Sequence, residues 1–388
     1  MSRKNLRGRF LIVSHAVHKK KDDQIFAYGP YVREMNLWIK AFNQVRVVAP
    51  LVTDSKLDKI DLAYSHKNIS LRSIPNFQIS ALKYIPKAIY SSVLIFFVCL
   101  QEMRQADHIH LRCPGNIGLI GCIAQFFFKK KIKTAKYAGN WDWKSKQPWS
   151  YRVQQRILRN TVLSKNMQVL VYGEWPDKTK NIRSFFTATY SRNEIEEIHK
   201  DSLDKRIELV FVGSLTENKS PITCLEVCEV LHRKGIPVHL TFCGDGDQRH
   251  ILEKKIKDLH LESQISLLGN VDAEKVKEVL QKAHFLVFIS RSEGWPKAVA
   301  EAMFWGCLPI TTPVSCVPYM LSHGSRGKLL KKDSSLEDIC NSIIEYKNNT
   351  ILYHQHRIAA TKWSQQFTLE EFENEVLKLI NDECYAYN

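Results

Sequence analysis

Two glutamates, Glu293 and Glu301, stand eight residues apart around the start of one apolar segment. Glu293 follows a run typical of a buried strand and precedes Gly294, which permits close approach of another backbone or a ligand. Pro296 suits the first turn of a helix, and a helix start can hold an anion because its first N–H groups have no intrahelical acceptor. Glu301 would lie on an otherwise apolar helix face, where a carboxylate needs hydroxyl or amide partners. The spacing indicates a site for an anionic ligand that carries a diol; the alternative is an ordinary exposed glutamate.

The elements around this stretch show short apolar runs alternating with longer helical patterns, which favours parallel sheets covered by helices. The predicted strands are 10–14, 45–49, 71–74, 108–112, 134–137, 168–172, 209–212, 238–243, 265–268, 285–289 and 308–312. The predicted helices include 31–43, 86–104, 114–128, one from about 148, one after Ser220, one capped by Asp272, one ending near Trp305 and one over 368–380.

The fold class predicted from this rhythm is α/β, with two Rossmann-like, doubly wound parallel-sheet domains that face a central cleft. We place the first domain over residues 1–190, the second over 191–366, and a C-terminal helix within 367–388 that packs back on the first domain. Ligands of such sheets bind beyond the carboxyl ends of the strands, so the loops that follow strands are the places where functional residues are expected.

The second half carries a series of short motifs in a fixed order. They are Val212-Gly213-Ser214-Leu215, Gly244-Asp245-Gly246, Leu268-Gly269, Ser292-Glu293-Gly294, Glu301-Ala302-Met303, Gly306, Pro309-Ile310-Thr311-Thr312, Pro318 and Gly327-Lys328-Leu329-Leu330. Over about residues 209–330 this series resembles the retaining GT-B glycosyltransferases of family 4, the glycosyl transferases group 1, of the type that builds bacterial surface polysaccharides. The first half is similar to this family only in its rhythm.

The resemblance implies transfer of a hexose-type sugar from a nucleotide diphosphate sugar, a UDP- or GDP-sugar, to a hydroxyl of a glycan or lipid-linked acceptor. It implies retention at the anomeric carbon, no separate cofactor and no metal. Glu301 is expected to bind the donor ribose, Glu293 the hydroxyls of the transferred sugar, and Lys219 the diphosphate. The other expected donor-side residues are Gly29, Gly213, Ser214 and Gly269, together with Gly294, Trp295, Pro296 and Lys297, whose backbone amides are expected to face the sugar and diphosphate.

Two departures from the family pattern concern charged or polar groups. The family usually has an arginine where this chain has Ser214, so one cation on the leaving group is missing or is supplied by another residue, such as Lys297. The family often has a histidine in the first domain where this chain reads Tyr137-Ala-Gly-Asn-Trp-Asp142. Asn140 and Asp142 are therefore candidate catalytic residues; the alternative is that they only fix the turn that begins a helix.

The net charge of +16, from 56 basic and 40 acidic residues, favours acidic partners such as phosphorylated substrates, nucleic acid or anionic lipid. None of the ten cysteines forms a C-x-x-C pair, and no secretory signal is visible, which predicts a reduced, cytoplasmic protein. The apolar run 93–100 is too short to cross a bilayer. The segment 118–133 joins an apolar helix to a lysine tail; we favour a core helix, with peripheral contact at the inner face of the cytoplasmic membrane as the alternative.

Other readings of the sequence remain as alternatives. Asp245 and Asp247 form a D-x-D string that could hold a metal, but Asp and Gly between a strand and a helix favour a turn. A sugar-nucleotide hydrolase or epimerase would keep the same fold. A non-catalytic, nucleic-acid-binding protein would use the positive charge and the tryptophans at 141, 143 and 149, and is the least favoured of these functions.

Overall fold

The computed structural model describes residues 7–53, 56–58, 60–76 and 85–381. Its contacts divide the chain into two units. One contains the described residues up to Ala188 together with those from Glu370 onward, and the other contains Thr189–Leu369.

The strands and helices have the following bounds. The strands are β1 Arg7–Val13, β2 His18–Lys21, β3 Gln24–Tyr28, β4 Phe42–Val52, β5 Asp61–Ala63, β6 Ile69–Ile74, β7 His108–Cys113, β8 Ile132–Tyr137, β9 Met167–Tyr172, β10 Ile182–Phe185, β11 Ile207–Val212, β12 Val238–Cys243, β13 Ile265–Leu267, β14 Phe285–Phe288, β15 Leu308–Thr311 and β16 Lys328–Leu329. The α-helices are α1 Gly29–Ile39, α2 Ile85–Gln105, α3 Asn116–Ala124, α4 Trp149–Arg159, α5 Pro221–Arg233, α6 Arg249–Asp258, α7 Ala273–Lys282, α8 Lys297–Phe304, α9 Val317–Met320, α10 Leu336–Asn348, α11 Thr350–Ser364 and α12 Leu369–Asn381.

The sheet of the first unit is mostly parallel. Strands β10, β9, β8, β7, β1 and β4 lie side by side in that order, and β6 pairs with β4. Read from β6, this is the order of a Rossmann fold, with the chain reversing direction of travel between β1 and β7. An antiparallel pair, β2 and β3, extends the sheet beyond the end of β4.

The sheet of the second unit is parallel throughout, in the order β13, β12, β11, β14, β15, β16. Its central strands are buried on both faces, which explains why β11 and β14 appear in the sequence as nearly continuous apolar runs. The strand order reverses between β11 and β14, so the loops that follow these two strands lie side by side at the carboxyl edge. Both units thus have the Rossmann-like topology predicted from the sequence.

Several helix boundaries differ from the prediction. Helix α1 ends at Ile39 and not near residue 43, because Phe42 already begins the buried strand β4. Helix α3 ends at Ala124, and a 3-10 turn over Gln125–Phe127 replaces its last predicted turn. Helix α8 begins at Lys297, so Pro296 is its N-cap and not a residue of its first turn.

The last helix packs within the first unit. The ring of Phe372 on α12 makes edge-to-face contacts with Phe185 and Phe186, at centroid distances of 5.3 and 5.8 Å. The ammonium of Lys136 lies 4.9 Å from the Phe372 ring centroid. The C-terminal helix therefore shares a core with residues from the first half of the chain.

Helix α2 is the longest helix, at 21 residues. In the described part of the chain, no helix combines the length and the apolar character that crossing a bilayer requires.

Candidate functional site

Two loops meet at the carboxyl edge of the second sheet, where β11 and β14 are neighbours. Residues 213–220 follow β11, and residues 289–296 follow β14. The N–H of Arg291 donates to the carbonyl oxygen of Asn218 at 2.9 Å, and the Asn218 side-chain amide donates to the Ser292 carbonyl at 3.0 Å. These bonds fix the two loops to each other at the point where the strand order reverses, between β11 and β14. This reversal point is the topological switch point, where ligands bind in sheets of this order.

An ion pair joins the two loops: the ammonium of Lys219 donates to Oε1 of Glu293. The Ser290 hydroxyl donates to the same oxygen at 2.6 Å, and the Phe288 ring centroid lies 4.9 Å from the Lys219 ammonium. The side chains of Lys219 and Glu293 are 20% and 11% exposed, so both charges are largely removed from water yet remain accessible. A bound anion could replace Glu293 as the partner of the Lys219 ammonium. The Glu293 carboxylate would then accept hydrogen bonds from hydroxyl groups of the ligand.

Glu301 lies one turn into helix α8 and is half-buried. Its Oε1 accepts a hydrogen bond of 2.7 Å from the Thr189 hydroxyl. Burial raises the pKa of the neighbouring Tyr190 phenol, and the negative charge of Glu301 raises it further. Glu301 is therefore a carboxylate held in place by a hydroxyl, in surroundings where further hydroxyl donors would be favourable partners.

The loop before α8 is fixed through its backbone and through one aromatic side chain. The Gly294 carbonyl accepts hydrogen bonds from the Ser315 hydroxyl at 2.8 Å and from the Cys316 thiol at 3.3 Å. The Trp295 side chain is buried and lies nearly parallel to the Trp363 ring, 6.3 Å away between centroids, with the edge of Phe367 at 5.9 Å. The indole of Trp295 thus packs in the core of the second unit and anchors this loop.

The start of α8 has the geometry of an N-terminus with short-range hydrogen bonds. The Pro296 carbonyl accepts from the N–H groups of Val299 and Ala300, at 3.0 and 3.3 Å. The first N–H groups of a helix have no acceptor one turn back within the same helix, and in α8 these groups belong to Lys297 and Ala298. They carry the positive end of the helix dipole, which suits a phosphate group.

Glycines let the strand ends of this sheet approach closely. Gly213 has φ +146°, and a Cβ on Gly244 would lie 1.9 Å from the Gly213 carbonyl oxygen. Gly269 has φ +70°, and its carbonyl accepts a 2.8 Å hydrogen bond from the N–H of Gly244. Ser214, where the family usually has an arginine, is exposed, and its carbonyl accepts from the N–H of Thr216. Only glycine at 213 and 269 tolerates these backbone angles without strain.

The D-x-D string forms a turn, as favoured from the sequence. Oδ1 of Asp245 accepts from the N–H of Gly246 at 2.8 Å, and its Oδ2 accepts from Arg249 at 3.2 Å. Asp247 is exposed. Within the residues that the structure describes, no group of three or more His, Cys, Asp or Glu side chains is arranged to hold a metal ion.

Gly29, expected near the diphosphate, is the first residue of α1 in the first unit. Its N–H donates to the Ile60 carbonyl at 2.9 Å, and a Cβ at this position would lie 2.3 Å from the same oxygen. Packing against Ile60 therefore explains why this residue is a glycine. A contact of Gly29 with the donor stays a prediction.

Asn140 and Asp142, the candidate catalytic residues of the first unit, both form local turn hydrogen bonds. Oδ1 of Asn140 accepts from the N–H of Asp142 at 2.9 Å, and Oδ1 of Asp142 accepts from the N–H of Lys144 at 3.0 Å. Gln147 and Gln155 bind the Asn140 carbonyl and hold the turn against α4. The structure therefore favours the alternative in which these side chains fix a turn before a helix, and a direct catalytic role remains a prediction.

Three residues of the site are missing from the sequence prediction: Asn218, Ser290 and Thr189. Ser290 is almost fully buried and lies two residues after the end of β14; a polar residue just after a buried strand is a local signal for a site residue. Asn218 adjoins Lys219 in the loop after β11, so its position after a buried strand carries the same signal. Thr189 lies 112 residues before Glu301 and carries no local signal.

Comparisons with known proteins give matches in sequence and in fold. Residues 193–363 match the family described as glycosyl transferases group 1. Among solved structures, the lipopolysaccharide outer core galactosyltransferase WaaB superposes with a TM-score of 0.68 at 14% identity, covering 97% of this chain and 99% of that one. The Anabaena protein HepE, solved in complex with UDP, gives a TM-score of 0.66 at 14% identity, with coverage of 97% and 99%.

A curated relative gives a shorter match. The amylovoran biosynthesis glycosyltransferase AmsK of Erwinia amylovora is 29% identical over 136 residues, which is 34% of this chain and 33% of that protein. The alignments with the first curated relatives thus span only 33% to 40% of those relatives' length. The fold is that of the GT-B glycosyltransferases. The part of the chain that matches the glycosyl transferases group 1 family is residues 193–363.

Proposed function

We propose that this chain is a retaining, metal-independent glycosyltransferase of family 4 that moves a hexose-type sugar from a UDP- or GDP-sugar to a hydroxyl. The observation that carries the proposal is the Lys219–Glu293 ion pair at the reversal point of the second sheet, with Glu301 one helix turn beyond it. The group 1 domain supports it, as do similar folds that were solved with UDP and with UDP-glucose.

Each donor group has a matching partner in this arrangement. The diphosphate would draw Lys219 away from Glu293 and would also face the first N–H groups of α8. Glu293, released from the lysine, would accept hydrogen bonds from the sugar hydroxyls, and Glu301 would accept them from the ribose. Stabilisation of the leaving diphosphate by fixed positive groups is the kind of electrostatic effect that contributes most to catalysis. The departing phosphate could itself take the acceptor proton, so the reaction needs no separate base.

The setting that we propose is cytoplasmic synthesis of cell-surface polysaccharide or lipid-linked glycan. The names of two similar proteins support this: AmsK acts in amylovoran biosynthesis, and WaaB is a lipopolysaccharide outer core galactosyltransferase. The acceptor would then be a glycan or a lipid-linked sugar.

The test is product analysis with UDP-glucose, UDP-GlcNAc or GDP-mannose, in the presence and absence of a glycan acceptor. We expect acceptor-dependent release of the nucleotide and a glycoside whose anomeric proton coupling shows retention. Release of free sugar without acceptor would instead indicate a hydrolase, and an isomerised sugar nucleotide would indicate an epimerase. Binding of an oligonucleotide that weakens steeply with salt, with no binding of any nucleotide sugar, would indicate a nucleic-acid-binding protein.

Glu301→Gln is expected to raise the Kd for the donor nucleotide by about 10- to 150-fold, because a hydrogen bond to a charged group contributes roughly 1.5–3 kcal/mol. Isothermal titration with UDP and GDP measures this change. Glu278→Gln, an exposed glutamate on α7 that pairs only locally with Lys275, is the matched control. Equal affinity of wild type and Glu301→Gln would remove Glu301 from the ribose site.

Removal of divalent ions is expected to leave activity unchanged within about twofold, since the lysine and the helix N–H groups supply the positive charge that stabilises the anionic leaving group. Turnover is measured with an excess of EDTA, on the order of 10 mM, and again after Mg²⁺ or Mn²⁺ is added back. Loss of turnover that is restored by a metal would return the D-x-D string, Asp245 and Asp247, to consideration.

A further inference from the structure

Helix α2 of the first unit presents an apolar face to solvent. Its inner side, which includes Ile95, Cys99 and Met103, is fully buried in the core of this unit. Its outer side carries large apolar residues at a helical spacing, all exposed: Ile89, Tyr90, Val93, Leu94 and Phe97. Monomeric soluble proteins rarely expose a continuous apolar surface, and such a surface marks a site of interaction.

The neighbouring 3-10 turn extends this face. Phe127 is 69% exposed, and its ring meets that of Phe96 on α2 edge to face, 6.2 Å between centroids. Ile123 on α3, four residues before Phe127, is also exposed, whereas the rest of α3 is largely buried. The helix of segment 118–133 is thus the core helix that the sequence favoured, and the exposed apolar surface belongs mainly to α2.

The exposed charged residues of α2 itself are positive, and Asp107, an exposed carboxylate that follows the helix, accepts a hydrogen bond from the Arg9 N–H at 2.7 Å. Lys87 and Arg104 are exposed near the two ends of α2, and Lys129 and Lys130 are exposed directly after Phe127. The single acidic residue of α2, Glu102, is buried, and its carboxylate is paired with Arg9 at 2.5 Å and Arg46 at 2.9 Å. Among the described residues, the outer side of α2 therefore joins apolar side chains to positive charges without an exposed carboxylate.

We propose that the outer face of α2, with Phe127, Lys129 and Lys130, docks the protein on an anionic lipid bilayer. An apolar strip with basic residues at its edges is the chemistry of a helix that lies in the bilayer interface. A second copy of this chain would bring the same positive charges together, so charge complementarity favours the lipid. The inner side of α2 is part of the protein core, so the helix lies along the surface and does not insert across it. The proposal deepens the proposed function, because a lipid-linked acceptor would be presented at that surface.

The test is co-sedimentation of the full chain with vesicles of phosphatidylcholine alone or mixed equally with phosphatidylglycerol. We expect binding to the mixed vesicles and little binding to phosphatidylcholine. Lys129→Gln/Lys130→Gln should lower the partition coefficient by about 25-fold, since each lysine near an anionic surface contributes about fivefold. Tyr90→Ser/Phe97→Ser/Phe127→Ser should lower it by at least about tenfold, because these rings would lose their apolar contact.

Matched controls lie in the second unit. Lys254→Gln/Lys257→Gln removes two exposed lysines of α6, and Ile351→Ser removes an isoleucine that is 71% exposed on α11. Neither should change vesicle binding, and circular dichroism should show every variant folded. Equal binding by the α2 variants and wild type, or equal binding to both vesicle types, would overturn the proposal. So would a dimer of the wild type that the Tyr90/Phe97/Phe127 variant converts to a monomer, since the face would then bind a second copy.

The thermal shift caused by UDP or GDP, measured on the same proteins, separates this proposal from the proposed function. An intact nucleotide shift without vesicle binding would overturn only the docking surface. Vesicle binding without any nucleotide shift would overturn only the transferase.

Discussion

Lys219→Met is expected to lower kcat by about 10²–10³-fold, the usual cost of removing one preorganised positive group from a developing negative charge. Two features make this residue critical. The exposed Ser214 lies where the family usually has an arginine, so this position itself supplies no cation. Loss of the ammonium also leaves the largely buried Glu293 carboxylate without its charged partner. The measurement is kcat at saturating donor, with retention of fold checked by thermal melting.

Two further variants decide what the loss means. Lys275→Met removes an exposed lysine of α7 that pairs with Glu278, and it should leave kcat unchanged. Lys219→Arg keeps the charge and should retain more activity than Lys219→Met, although the planar guanidinium fits a different geometry. A folded Lys219→Met protein with kcat within threefold of wild type would show that the diphosphate has no partner in Lys219.

Glu293→Gln is expected to lower kcat by about 10²-fold, with a smaller change in donor affinity. The amide keeps the size of the side chain and can still accept from the Ser290 hydroxyl, but it carries no charge to pair with Lys219 or to accept strongly from the sugar hydroxyls. A sugar that is misplaced by about 1 Å at the reacting carbon can lose about 10²-fold in rate. Single-turnover kinetics with bound donor separate this effect from a change in binding.

Glu217→Gln is the matched control, because Glu217 lies in the same 3-10 turn as Lys219 but is exposed and pairs with Arg291. Its kcat should match wild type. If Glu293→Gln kept full activity while Lys219→Met lost it, Glu293 would only hold the lysine in the empty site. Loss in both variants agrees with direct contact of each residue with the donor.

The strands of the second unit were predictable because burial on both faces leaves a continuous apolar run in the sequence. Strand β12 has the predicted bounds, and Asp272 caps α7 by accepting from the Lys275 N–H, as expected. Pro221 begins α5 as expected, but Ser220 has left-handed backbone angles and makes no side-chain cap bond. The antiparallel pair β2 and β3 was not predicted. Its run of lysines looks solvated, yet Lys19 is tied to Asp58 and Asp61 at 2.6 and 2.8 Å, contacts that no local pattern reveals.

Trp295 shows what a local motif leaves open about the surroundings of a side chain. In the sequence it lies between Gly294 and Pro296 in the motif that we assign to the donor, so a role there was the natural prediction. In the structure its indole packs with Trp363 and Phe367, which come from a distant helix and the turn after it. Packing the Trp295 ring against other aromatic rings buries more apolar surface than exposing it to a polar site would, so the buried position is favoured.

Periodicity and turn residues are local properties, and they were enough to predict the α/β class, the two Rossmann-like units and the loops after strands as the place of the candidate site. Which of these loops meet depends on the strand order of the sheet. Lys219 and Glu293 are 74 residues apart, and Thr189 and Glu301 are 112 apart. They come together because β11 and β14 are adjacent in the sheet and because Thr189 begins the second unit beside α8. Strand order and packing set these distances, and neither is written in the local pattern of the chain.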